Sequence, residues 1–239
     1  MPRALTVFRR PLQLLWNCGN GTHPDVIQVR APVGSINIAL RNFESLKTCF
    51  SIFARNDYRT DPDHRFLVLD IGANIGIAAL YFLSRNTDNK VRCYEPDPTN
   101  LDYLRWNLSP FGARAEIIGK AVAPSGGRGT LFRAVDGKHS SLLKDVAISN
   151  GFAAESTTEL VAFDDVLRNI GETNEDVLVK LDVEGIEAAL VQSVDFCEYP
   201  QLRRMLVEST TCSSLIRRPH HRTLRTGSIE DIEFSRERP

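Results

Sequence analysis

The chain has 239 residues, 42% of them hydrophobic and 25% charged, and its 29 Lys+Arg against 30 Asp+Glu leave a net charge of −1. These values describe one globular domain with a small addition and exclude a mostly disordered chain. The even charge balance excludes a protein that binds polyanions over its whole surface.

Five cysteines, Cys18, Cys49, Cys93, Cys197 and Cys212, are scattered without a CxxC pair. That argues against a disulfide framework or a zinc site and for a reducing, cytoplasmic compartment. The longest apolar run, 75–83, is broken by Gly76 and is too short for a membrane span. At the N-terminus, Arg3, Arg9 and Arg10 precede a short apolar patch interrupted by Pro11 and Gln13. With no clear cleavage site after it, this stretch reads as an extended lead-in rather than a signal peptide.

Residues 26–30 and 35–40 alternate apolar and polar around Pro32-Val33-Gly34, which predicts a hairpin. Residues 43–55 place Leu46, Cys49, Phe50 and Phe53 on one helical face. Asp61-Pro62-Asp63 is a loop and a boundary. Residues 1–60 are therefore expected to form a β-hairpin and helix appendage.

From there the rhythm changes. Residues 66–70 form a nearly continuous apolar run, as in a strand covered on both faces. A helix over 75–82, a strand over 91–95, a helix over 98–108 and a strand over 116–122 follow. Residues 125–161 are rich in Gly and Ser, with strand-like pieces at 129–135 and 158–162. A short helix over 163–170 leads to strands at 177–183 and 204–208 that flank a helix at 185–194. Alternating strands and helices predict an α/β fold, a parallel sheet with helices on both faces, over 61–209. Residues 210–239 carry six arginines and little apolar patterning. They read as a basic, weakly ordered tail with one strand near 229–234.

Three segments carry chemistry. Asp70-Ile71-Gly72-Ala73-Asn74-Ile75-Gly76 follows a predicted strand and opens a predicted helix. Glycines there permit a sharp turn and close approach of a ligand, at the strand ends where open α/β sheets bind. The GxxxG spacing lacks the middle glycine of the dinucleotide fingerprint, which argues against NAD. Glu95 ends the next strand, 19 residues beyond Gly76, where an acidic side chain can accept both hydroxyls of a ribose. Lys180-Leu181-Asp182-Val183-Glu184-Gly185 ends a later strand. Lys180 interrupts an apolar strand and calls for a partner carboxylate. Asp182 and Glu184 can both reach a cleft, or can cap the next helix.

Asp70–Gly76, Tyr94-Glu95-Pro96-Asp97-Pro98 with Asn100 and Leu104, and Lys180–Gly185 with Glu187 together resemble the FkbM family of S-adenosylmethionine-dependent methyltransferases. Ser140-Ser141-Leu142 and residues 163–167 are similar to that family's intervening elements. Residues 38–42 and 53–58 are similar to the segments before its glycine loop. The resemblance covers about residues 25–209 and implies a Rossmann-like methyltransferase fold with S-adenosyl-L-methionine as cofactor. It implies that Asp70, Gly72, Asn74 and Gly76 surround the amino-acid and ribose parts of the cofactor, that Glu95 holds the ribose hydroxyls, and that Ala121 and Val122 lie near the adenine. Asp182 and Glu184 would face the methyl-transfer cleft.

The implied reaction is O-methylation of a hydroxyl on a small molecule or glycan. It needs a general base, for which Asp182, Glu184 and His139 are candidates, and no metal. A sheet of this type normally continues beyond 204–208, and the tail looks too polar to do so. The last strands are then missing, and an exposed sheet edge invites a homo-oligomer. A catalytically inactive cofactor-binding or interaction protein is the main alternative, followed by an NAD-dependent oxidoreductase. A nucleic-acid partner is disfavoured, since the only basic cluster is the tail.

Overall fold

The apolar runs pair into a seven-stranded sheet in a computed structural model that describes residues 2–135, 139–170, 175–209, 211–218 and 221–234. In chain order the elements begin with α1 (Pro2–Val7), α2 (Pro11–Asn20), β1 (Val26–Ala31) and β2 (Gly34–Ala39). α3 (Phe43–Cys49) runs on as a π-helical turn over Phe50–Arg55. β3 (Leu67–Ile71), α4 (Ile77–Arg85), β4 (Lys90–Tyr94), α5 (Pro98–Leu108) and β5 (Ala115–Ile118) follow. Next come β6 (Ala121–Ala123), β7 (Gly127–Ala134), α6 (Lys144–Ser149), β8 (Phe152–Ala162) and α7 (Phe163–Arg168). The chain closes with β9 (Val177–Leu181), α8 (Glu187–Gln192), β10 (Leu202–Glu208), β11 (His221–Thr226) and β12 (Ile229–Phe234).

The main sheet has the order β11-β12-β10-β9-β3-β4-β5. β10, β9, β3, β4 and β5 are mutually parallel, and β12 is antiparallel to both of its neighbours. Strand alternation divides the core in two. Leu67, Leu69 and Ile71 of β3 join Val177 and Val179 of β9 against α7 and α8. Val68 and Leu178 face the other side, where α4, the N-terminal helices and the β1–β2 hairpin cover them. Apolar residues on both strand faces are what a doubly covered sheet requires.

Several expectations are corrected. The lead-in is not extended. Pro11 starts α2 and Gly21 ends it in the left-handed region, while Ala4, Phe8 and Leu14 are buried. The strand expected over 116–122 is two strands in two sheets. It breaks after Ile118, and β6 then joins β8 and β7 in a three-stranded sheet.

The sheet does not lack its last strands. β12 pairs along β10 from Arg204↔Glu233 to Glu208↔Ile229, and β11 forms the new edge. The tail looked solvated because its charges find partners only after folding. The Arg204 guanidinium donates to both Asp231 oxygens at 2.7 and 2.6 Å, and Glu230, fully buried, accepts from the Ser213 N–H at 2.7 Å and from Arg225 at 2.9 Å. Arg218 lies over the Phe234 ring at 4.6 Å. The edge that suggested a homo-oligomer, β10, is therefore covered. His220 of the tail lies outside the described residues.

Candidate functional site

The carboxyl ends of β3, β4 and β9 open into one cleft, with about 990 Å³ of empty space counted out to its solvent-filled mouth. Its floor is the turn after β3. Gly72 has φ +75°, and a Cβ there would fall 1.9 Å from the Asp182 carbonyl oxygen. Only glycine lets the turns after β3 and β9 pass so closely. The Gly72 and Ala73 N–H groups both donate to the Tyr94 carbonyl at 3.0 Å, which fixes this turn to the end of β4. Asn107 of α5 ties the same turn to β2: its amide donates to Ile75 O at 2.7 Å and its oxygen accepts from Ala39 N at 2.8 Å.

Glu95 stands immediately after β4 and lines the cleft at 5% exposure. Its carboxylate accepts from Asn74 N at 2.7 Å and from Asp97 N at 2.8 Å. Burial pushes its pKa up to about 7, although these N–H donors and Asn100 pull the other way. Oε1 takes two donors, Asp97 N and Asn100 Nδ2, and Oε2 takes one, so Oε2 keeps a lone pair free for a ligand hydroxyl.

The opposite end is built on β9. Lys180, 3% exposed, sits in register with Asp70 of β3. Its ammonium donates to Gly72 O at 2.7 Å and lies 3.1 Å from Asp70 Oδ1 and 3.5 Å from Asp182 Oδ2. Burial pulls the Lys180 pKa down, but the two carboxylates reverse this and hold it well above the ordinary value. The partner carboxylate anticipated for Lys180 is thus Asp70, with Asp182 beside it. The turn that follows is unusual: Glu184 has φ +55° and Gly185 φ +110°. Glu187 accepts from Val183 N and Gly185 N, each at 3.0 Å, so Glu187 ties this turn down and leaves Asp182 and Glu184 on the cleft. Ser141 Oγ donates to Glu184 O at 2.7 Å from the far wall.

Of the residues singled out from the sequence, Gly72, Asn74, Glu95 and Asp182 line the cleft, as do Glu184, Ala121 and Val122. Asp70 and Gly76 do not. Asp70 is fully buried behind Lys180, and Gly76 is the N-cap of α4 at φ +89°, packed against Leu104. His139 is not a lining residue either, although the next residue, Ser140, is.

Sequence reasoning assigned no site role to the wall that Arg41, Asn42, Ser45, Thr48, Ile52 and Tyr58 form. The signal was present in α3. Asn42, Ser45, Thr48 and Ile52 recur at three- and four-residue intervals, on a stripe beside that of the buried Leu46 and Phe53. Arg41 bridges to the floor by donating to Asn100 Oδ1 at 2.5 Å. Asn100 in turn approaches Glu95 Oε1 at 3.4 Å. Burial pushes the Tyr58 phenol far above its ordinary range, so it stays protonated.

Residues 70–211 match the family model described as the Methyltransferase FkbM domain. Over 175 residues the chain is 28% identical to methyltransferase sdnD of Sordaria araneosa, a match covering 62% of this chain and 67% of that one. Over 170 residues it is 25% identical to the 31-O-demethyl-FK506 methyltransferase FkbM of Streptomyces tacrolimicus, covering 59% and 64%. The matched stretch is thus about two thirds of each relative's length. Among solved structures, the SAH-bound Podospora anserina methyltransferase PaMTH1 aligns with 82% of this chain and 80% of its own, at 12% identity and a TM-score of 0.43. The match of the family model to more than half of the chain, across the glycine turn, Glu95 and the Lys180–Gly185 segment, places this protein in the FkbM family of S-adenosylmethionine-dependent methyltransferases.

Proposed function

We propose that the chain methylates a hydroxyl oxygen of a small molecule or glycan. The observation that carries this reading is the arrangement of acids in one cleft: Glu95 buried at the β4 end, and Asp182 with Glu184 at the β9 end. One relative is named as a methyltransferase of 31-O-demethyl-FK506, wording that fits an oxygen acceptor.

The residues fit the family's cofactor. Ser140 Oγ is buried at the cleft without a hydrogen-bond partner, a polar atom that a ligand group can satisfy. Glu95 offers its carboxylate, with a free lone pair on Oε2, to the ribose hydroxyls beside the Gly72–Asn74 turn. Ala121 and Val122 offer an apolar surface for adenine. Asp70 and Gly76 serve this site from behind, by holding Lys180 and starting α4.

S-adenosylmethionine, when bound, supplies an electrophilic methyl group on a positively charged sulfur. What the chain adds is alignment, exclusion of water and a place for the acceptor's proton. Asp182 or Glu184 takes that proton as the oxygen gains its methyl. His139, adjacent to Ser140, is the third candidate. Lys180, 3.5 Å from Asp182 Oδ2, holds that carboxylate in place. A cytoplasmic setting belongs to the same reading and is supported by five free thiols, three of them buried.

Calorimetric titration with S-adenosylmethionine and its demethylated product, followed by methyl transfer to a panel of hydroxylated acceptors, tests the proposal. Wild type is expected to bind in the micromolar range and Glu95→Ala to lose most of that affinity. Asp182→Asn is expected to bind the cofactor but to turn over at least about a hundredfold more slowly. Transfer only to nitrogen acceptors, or no binding by the folded wild type, would overturn the reading.

A further inference from the structure

We propose that the outward face of α1 and α2 is a peripheral docking surface for an anionic lipid bilayer. A surface helix ordinarily turns its apolar stripe toward the core. α2 does this with Leu14, 3% exposed, yet it carries a second apolar stripe outward: Leu12 is 75% exposed and Trp16, one turn later, 72%. α1 adds Leu5 at 49%. Protruding leucines and a tryptophan are what a helix lying in the headgroup region uses.

Charge identifies the partner. Residues 1–40 hold four arginines and a single acid, Asp25, for a net of +3, whereas the rest of the chain sums to −4. Arg3, Arg9 and Arg10, all exposed, flank the leucines in sequence. A cationic, apolar face on an otherwise acidic protein suits a negatively charged leaflet. A nucleic acid would use the arginines but has no use for Leu5 and Leu12. A second copy of the chain would bring like charges together across a two-fold axis.

The surface is firmly mounted. Phe8, fully buried between α1 and α2, packs on Phe50 at 4.7 Å between ring centroids. Phe50 continues the helix whose other face, with Ser45 and Thr48, lines the cleft. α1 and α2 are therefore mounted on the same segment that walls the site.

The chain has two tryptophans, and Trp106 is also exposed, at 51%. Trp106→Phe therefore leaves Trp16 as the only indole reporter without disturbing the core. Phosphatidylcholine vesicles with and without phosphatidylserine are titrated into this variant while emission and co-sedimentation are followed. The expected result is a blue shift and co-sedimentation with the phosphatidylserine vesicles, both weakened by salt. Leu12→Asp should abolish both, and Arg3→Gln and Arg10→Gln should each lower partitioning about fivefold. An unchanged unfolding midpoint identifies these variants as folded. Trp16 emission that ignores vesicles would overturn the proposal. So would sedimentation indifferent to Leu12→Asp, burial of Trp16 in a dimer without lipid binding, or binding to a DNA oligonucleotide in place of vesicles.

Discussion

The two ends of the cleft are built on different principles. At the β3 and β4 end the backbone does the shaping: Gly72 and Ala73 are pinned to Tyr94, and Glu95 is held by main-chain N–H groups. At the β9 end charge does it: Lys180 gathers Asp70 and Asp182, and the turn at Glu184 depends on Glu187 and Ser141. A site made of backbone tolerates loss of one side chain in its fold but not in its binding. A site made of buried charge fails in its fold first, because an abandoned partner charge is costly.

The largest effect expected from this contrast is at Lys180. Lys180→Met leaves Asp70 and Asp182 without their cation and should destabilise the chain by about 3–5 kcal/mol in denaturant unfolding. Adding Asp70→Asn should recover most of the loss. A single variant as stable as wild type would remove the distinction between the two ends.

Glu95 should behave in the opposite way. Its pKa of about 7 in the fold lies above the ordinary 4.5, so between those values the folded chain holds a proton that the unfolded chain has released. Stability from this group is therefore present below about pH 4.5 and lost as pH rises toward 7. Above that window the ionised, buried carboxylate opposes folding. Glu95→Gln should then be more stable than wild type near pH 8, by about 2–3 kcal/mol, and no more stable in acid. Its affinity for S-adenosylmethionine should fall at least about tenfold, as one hydroxyl acceptor is lost. Wild-type affinity should also weaken as pH drops below about 7. Paired unfolding and calorimetry at the two pH values separate these effects.

Ser141→Ala is the mildest test. It removes a tie from the far wall to Glu184 and should cost about 1 kcal/mol. Cofactor affinity should be unchanged while kcat falls, because the β9 turn, not the β4 floor, is loosened. Equal losses in both would mean that the two ends are one mechanical unit.

Much of this was legible in the residues. The apolar runs at 66–70 and 177–183, the hairpin around Gly34 and the helix at Pro98 follow from local periodicity and turn chemistry. Lys180 in an apolar strand announced a carboxylate partner. Other features depend on distant contacts. Asp70 looked like a ligand contact because its spacing cannot show that Lys180, on another strand, takes it out of the cleft. The wall from Arg41 to Tyr58 was hidden because its polar stripe reads as an ordinary solvated face until the sheet stands opposite it.

The C-terminus makes the division plainest. Composition alone marked residues 210–239 as a charged tail, since six arginines and few apolar residues carry no clear period. Folding brings Arg204 to Asp231 and Ser213 to Glu230, and those pairings let charged residues enter a sheet. By itself the sequence determined the doubly covered strands, the glycine turn and the acids at strand ends, because burial pattern and backbone freedom are properties of neighbouring residues. Tertiary structure alone decided which charges neutralise one another, which carboxylates reach the cleft and where the sheet ends, because a charge becomes tolerable in the interior only when a partner far along the chain arrives beside it.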